Sequence, residues 1–179
     1  MSKQHKIFGK TGLIDKSLEI DGVIKQLVKQ RKQIIYGARS IERQAGLFSR
    51  PTQDWDVFDK NPKKASNILQ KKLDKLVGFD YFFSKPAMHK GTWKVKGKGE
   101  DGKANTEDDV DVADYSKPTE KIKYMTKDGI RYRILKTELQ KKIATTKDPE
   151  FEFRHAKDKD DIRRIQDYLK VKTIIGVSV

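Results

Sequence analysis

The chain has 179 residues, 37% of them charged and 35% hydrophobic, with a formal net charge of +14 and no cysteine. That length suits one domain with its own core, while the lack of cysteine excludes disulfides, thiolate zinc sites and cysteine nucleophiles and fits a reducing, cytoplasmic setting. No apolar run nears the ~18 residues of a membrane span, and Met1-Ser2-Lys3-Gln4-His5-Lys6 opens no signal-peptide core, so no membrane is expected. A positive balance of this size points to a polyanionic partner, nucleic acid ahead of an acidic protein.

Residues 13–33 carry Leu13, Ile14, Leu18, Ile20, Val23, Ile24 and Leu27 among charges, which predicts a helix with a break near Gly22. Gln33-Ile34-Ile35-Tyr36 reads as a buried strand stopped by Gly37. A short helix is expected over 39–48, and 54–58 alternates polar and apolar residues as a half-buried strand does. Asn61-Pro62 opens a helix by the cap-plus-proline rule, with Ile68, Leu69, Leu73, Leu76 and Val77 on one face and Gly78 as its stop. Strand-like pieces follow at 81–84, 92–96 and 110–113, separated by a polar loop over 97–108. Thr126-Lys127-Asp128-Gly129 predicts a hairpin between 122–125 and 130–134, because Asp-Gly tolerates positive φ. Helices at about 136–146 and 157–169 close the pattern, and 170–179 reads as extended. The order predicts an α+β fold with a mixed β-sheet flanked by helices. It divides into an N-terminal helical extension (1–30), the main domain (31–170) and a C-terminal extended segment (171–179).

The most informative stretch is Gly37-Ala38-Arg39-Ser40 followed by Thr52-Gln53-Asp54-Trp55-Asp56. A strand ends at a glycine and a polar helix start follows, which lets backbone N–H groups approach a phosphate. Asp54 and Asp56 are two apart on a strand, so both carboxylates leave one face of the sheet. They repel each other unless a cation sits between them, and oxygen ligands with phosphate nearby suit Mg²⁺ or Mn²⁺. Other signals are weaker. Gly9-Lys10-Thr11 has no glycine at the start of a P-loop pattern and no buried strand before it. The loop Asp101-Gly102-Lys103-Ala104-Asn105 lacks calcium-loop spacing. His5, His89 and His155 have no metal-ligand spacing. Trp55 points away from the two acids, into the core, and Tyr81 and Trp93 read as core aromatics before base-stacking ones. Lys94, Lys96 and Lys98 alternate, so they share a face if the strand continues past Gly97, a face that either tracks a nucleic-acid backbone or guards a solvated edge strand.

The glycine turn plus acid-hydrophobic-acid strand resembles the polymerase-β-like nucleotidyltransferase superfamily, and most of all its minimal antitoxin-type and abortive-infection-type members. Leu139-Gln140-Lys141-Lys142 and Lys157-Asp158-Lys159-Asp160-Asp161-Ile162 are similar to later elements of the abortive-infection type. The resemblance spans about residues 30–168. It implies metal-dependent transfer of a nucleoside monophosphate from an NTP to a hydroxyl of RNA, tRNA included, or of protein, with release of pyrophosphate. It implies Asp54 and Asp56 as metal ligands and catalytic acids, with Asp111 as the third, or Asp114 if the strand register is shifted. Gly37, Ala38, Arg39, Ser40, Arg50 and Lys142 are the expected nucleotide-binding residues. Lys94, Lys96 and Lys98 are the expected nucleic-acid contacts. Where the family has Gly-Ser or Gly-Gly, this chain has Gly37-Ala38, so the contact of the missing hydroxyl falls to Ser40 or a backbone N–H. The alternative is a non-catalytic module of the same fold that binds nucleic acid or serves in assembly.

Overall fold

The computed structural model describes residues 6–9 and 12–175, with side chains from Asp15 onward. His5, two residues of Gly9-Lys10-Thr11 and the last four of the expected C-terminal segment lie outside the described residues. Where a helix was expected from residue 13, β1 (Lys6–Gly9) and β2 (Gly12–Asp15) pair as an antiparallel hairpin. The helix, α1 (Ser17–Gln30), begins only after Asp15 has accepted hydrogen bonds from the Ser17 amide and hydroxyl. Gly22 does not interrupt it. Its residues Ile20, Ile24, Leu27 and Val28 recur at helical spacing and are buried in the main core, so α1 is part of that core and not an appended arm.

The main sheet has seven strands: β3 (Ile34–Tyr36), β4 (Trp55–Phe58), β5 (Phe82–Pro86), β6 (Thr92–Gly97), β7 (Val110–Ser116), β8 (Tyr124–Lys127) and β9 (Ile130–Arg133). Their order is β5-β6-β7-β4-β3-β9-β8. β4 with β7 and β3 with β9 are the parallel pairs, and the rest are antiparallel. This is the mixed α+β layout expected from the sequence.

Period-two alternation gives the sheet two chemically different faces. One face presents Ile35, Trp55, Val57, Val95, Ala113, Tyr115 and Tyr132 to the core under α1 and α3 (Pro62–Val77). The cap of α3 is as its sequence demands: the Asn61 side chain accepts from the Lys64 amide, Pro62 takes the first turn, and Gly78 ends the helix at φ +84°. The opposite face is covered only in part by α2 (Gly37–Ala45), α4 (Leu135–Thr145) and α5 (His155–Ile174), which meet around Ile41, Ala45, Leu135 and Ile165. α5 continues through residues 170–174, which were expected to be extended. No helix among the described residues is long and apolar enough to cross a membrane.

Candidate active site

β3 passes into α2 through Gly37, whose φ of +68° is left-handed. A Cβ at this position would collide with the Asp56 carboxylate, so the glycine serves two needs at once, the turn and the close approach of the acid. Its amide donates to Glu138 Oε1 at 2.8 Å and is therefore held by the protein. Tyr36, the residue at the N-cap of α2, makes no capping bond of its own.

Asp56 on β4 is the direct parallel neighbour of Asp114 on β7. Asp54, two residues before Asp56, projects to the same side. Asp111, the expected third acid, lies further back along β7, past an irregularity in its pairing with β6. Val95 pairs with Ala113 but Lys96 with Asp111, which leaves Val112 as an extra residue. That bulge buries Val112 with the core and returns Asp111 to the acid face at its half-exposed margin. The register thus places Asp114, not Asp111, beside Asp56.

The electrostatics follow from this crowding. Burial, then the charges of Asp54, Asp114 and Glu138, push Asp56 up to about 7, against the pull of Lys142. Asp114 is likewise raised, by burial first, with Lys94 working against it. Asp54 goes the other way. Burial raises it, but a 2.7 Å hydrogen bond from the Thr52 hydroxyl and the charges of Lys157 and Arg50 hold it below the usual carboxylate range. The pocket therefore contains one carboxylate that stays ionised and two that resist ionisation without a cation. No three acidic or histidine side chains among the described residues close on one point as a ready-made metal cage. Mg²⁺ needs less, since it binds through one or two carboxylates with phosphate oxygens and water completing its shell. Asp54 and Asp56 could serve as such a pair, and the Lys94 ammonium, 3.2 Å from Asp114, already answers part of the demand for positive charge.

The other expected site residues divide. Arg50 meets Asp161 at 3.0 Å and stands beside Asp54. Lys142 is buried between Asp158 at 2.9 Å and Asp161 at 2.7 Å. Arg39 is elsewhere: it lies over the Trp55 ring on the core side, donates to the Gln53 carbonyl and pairs with Asp21 and Glu42. The Ser40 hydroxyl donates to the Arg133 carbonyl at 2.6 Å, tying α2 to the end of β9, so it does not replace the hydroxyl missing at the buried Ala38. Lys94 and Lys96 share a face of β6, which ends at Gly97, before Lys98; β6 is an interior strand and each lysine meets acids: Lys94 and Lys96 share Asp111, Lys94 also meets Asp114 and Lys96 Asp109, and Lys98 meets Asp80. His155 bonds the carbonyls of Thr145 and Asp148, a structural role.

Sequence reasoning missed Glu138, Arg133 and Lys157. Arg133 grips Glu138 through two hydrogen bonds, at 2.9 and 2.6 Å, while its guanidinium lies over the stacked rings of Tyr36 and Phe58. Glu138 and Lys142 are one helical turn apart, both facing inward from α4. Buried charges at that spacing were the available signal. The Lys142 cluster carries a stability expectation. Lys142→Met leaves Asp158 and Asp161 to Arg154 and Arg50 alone, and removing one partner of a buried ion pair costs ~3 kcal/mol or more. Urea unfolding should show a clearly lower midpoint; an unchanged midpoint would mean that the cluster supports nothing.

No protein-family model matches the chain, and no curated protein matches it in sequence. Among the solved structures that resemble it are two with the same overall layout. The Megavirus polyadenylate synthase superimposes with a TM-score of 0.69 at 16% identity, over 86% of this chain and 32% of that one. JHP933 from Helicobacter pylori gives 0.53 at 10% identity, over 82% of this chain and 62% of that one. The chain thus spans about a third of the polyadenylate synthase and under two thirds of JHP933. At such identities the likeness is one of fold. The seven-stranded mixed sheet with its flanking helices is a nucleotidyltransferase fold.

Proposed function

We propose that this chain transfers a nucleoside monophosphate from an NTP to a hydroxyl at the end of an RNA, releasing pyrophosphate. The observation that carries the reading is the parallel register of Asp56 with Asp114, with Asp54 on the same face and Gly37 packed against Asp56. Asp54 and Asp56 would hold a divalent cation, Mg²⁺ or Mn²⁺. Such an ion neutralises triphosphate charge and lowers the pKa of an attacking hydroxyl. Asp114 accepts the hydrogen bond of that hydroxyl and orients it, kept in place by Lys94. Arg50 and Lys157, the cations beside Asp54, meet the β- and γ-phosphate oxygens. The first turn of α2, where Glu138 already takes the Gly37 amide, would turn the amides that follow toward the same oxygens. Lys142, Glu138 and Arg133 act one layer behind, fixing α4 and α5 against the phosphate turn.

The test uses the four radiolabelled NTPs, Mg²⁺ and an RNA with a free 3′ hydroxyl. RNA lengthened by labelled nucleotide is expected, abolished by chelation and reduced at least about 10²–10³-fold by Asp54→Asn. Label entering protein in place of RNA would overturn the acceptor, and no transfer with any NTP would overturn the reading.

A further inference from the structure

The positive charge of this chain is unevenly neutralised. The β6 lysines are matched by carboxylates, and on α5 Arg163 and Arg164 are matched by Asp160 and Asp167. α3 is different. Lys60, Lys63, Lys64, Lys71, Lys72 and Lys75, on or just before it, are all exposed, and none forms an ion pair among the described residues. The acid within the helix, Asp74, accepts from the amides of Tyr81 and Phe82 and so is already committed.

The lysines are also ordered. Lys64, Asn67, Lys71 and Lys75 fall on one stripe, opposite the buried Ala65, Leu69 and Leu73. The stripe is roughly 16 Å long at the helical rise of 1.5 Å per residue. At its N-terminal half Asn61, Lys63, Lys64, Asn67, Ile68 and Lys71 line a groove of about 370 Å³, a donor-rich trough with one apolar contact. Two lysines stand near the border between this surface and the acid face. Lys85, on the edge strand β5, lies opposite Lys94 in the antiparallel register and so on the acid face, and Lys63 reaches over Trp93 at the end of β6.

We propose that the outer face of α3 is a docking surface for the phosphate backbone of single-stranded RNA, separate from the acids and on the other side of the sheet. The proposal rests on the reading above for its ligand class, and it makes the RNA body, not its reacting end, the partner of this face. Like charges held along one stripe raise each other's cost until a polyanion lies along them, and a strand of phosphates is such a polyanion. The contacts carry no base readout, so binding here is sequence-independent.

The experiment is binding alone, without NTP or divalent ions, so its outcome does not depend on whether transfer occurs. A fluorescent 20-nucleotide uridine oligomer is titrated with the full chain at several salt concentrations. The triple variant Lys64→Gln, Lys71→Gln, Lys75→Gln is compared with Lys121→Gln, Lys136→Gln, Lys159→Gln, which removes the same charge from scattered exposed lysines. Unchanged melting temperatures establish that both fold. The α3 variant should flatten the log–log salt slope by about 2, at ~0.7 per lost phosphate contact, and weaken binding at least about tenfold at low salt. The scattered variant should move the slope by less than half as much. Equal losses in the two variants, an unchanged slope in the α3 variant, or no RNA binding by the natural chain would each overturn the proposal.

Discussion

Asp56→Asn is expected to abolish nucleotide transfer and yet raise the melting temperature of the metal-free protein at pH 8. The fold holds the Asp56 proton up to about pH 7, whereas the unfolded chain releases it near the ordinary value of 3.8. Between those values the unfolded state has fewer protons bound, so stability falls as pH rises from about 4 to about 7. The full loss from this group is up to ~4 kcal/mol by the linkage relation. Asparagine removes the charge but keeps a polar group in the crowded pocket, so a gain of ~2 kcal/mol is expected, roughly 4–8 °C for a chain of this size. The advantage should vanish by about pH 4.5, where the natural carboxyl is protonated in the fold too. Mg²⁺ should raise the melting temperature of the natural protein at pH 8 and do little for the variant. Calorimetric melts across pH decide it: a variant less stable than the natural protein at pH 8, or a gap that persists at pH 4.5, would refute the account of Asp56.

Gly37→Ala is expected to damage both stability and transfer. The left-handed φ costs a non-glycine residue ~1–2 kcal/mol, and the new methyl displaces the Asp56 carboxylate besides. Together these should lower stability by ~3 kcal/mol or more, in the range of overpacked cores, and transfer should fall at least about 10²-fold because Asp56 no longer faces Asp114. A double-mutant cycle separates the two causes. Asp56→Gly vacates the space, so adding Gly37→Ala to it should cost only the backbone strain. If Gly37→Ala costs as much with Asp56→Gly as without it, the contact with the acid is not what requires the glycine.

Much of the frame was legible because local chemistry dictated it. Asn61-Pro62 and Gly78 bound α3 at both ends, and Asp128-Gly129 turns β8 into β9, since each is a conformation few other residues tolerate. Asp56 on β4, with Asp54 just before the strand, was legible from alternation. Alternation failed at β7, where the bulge at Val112 shifts every side chain before it by one place, and no residue type announces a bulge of this kind. The parity of Lys94 and Lys96 holds on β6, which stops before Lys98, but the partners of the three come from β7, its preceding loop and Asp80, contacts that sequence spacing does not reveal. Residues 170–174 hold β-branched Val171, Thr173 and Ile174, which favour extended chain. The helix prevails there by continuing an established one, with the Thr173 hydroxyl donating back to the Leu169 carbonyl. Ser40 and Arg39 sit in the phosphate-turn sequence yet face inward, because a helix turns each successive side chain by about 100°.

The parallel pairing of β4 with β7 has a kinetic meaning as well. Everything between them, α3 and the β5–β6 hairpin, must be laid down and returned to the sheet before Asp114 can meet Asp56. Non-local pairings of this kind form late, after their loop-closure entropy has been offset by contacts already made. The hairpins β5–β6 and β8–β9 are local and need no such return. The acids are thus brought together by the slowest class of contact in the domain, and a chain still growing from the ribosome, with its sheet half-assembled, cannot yet bring Asp56 against Asp114.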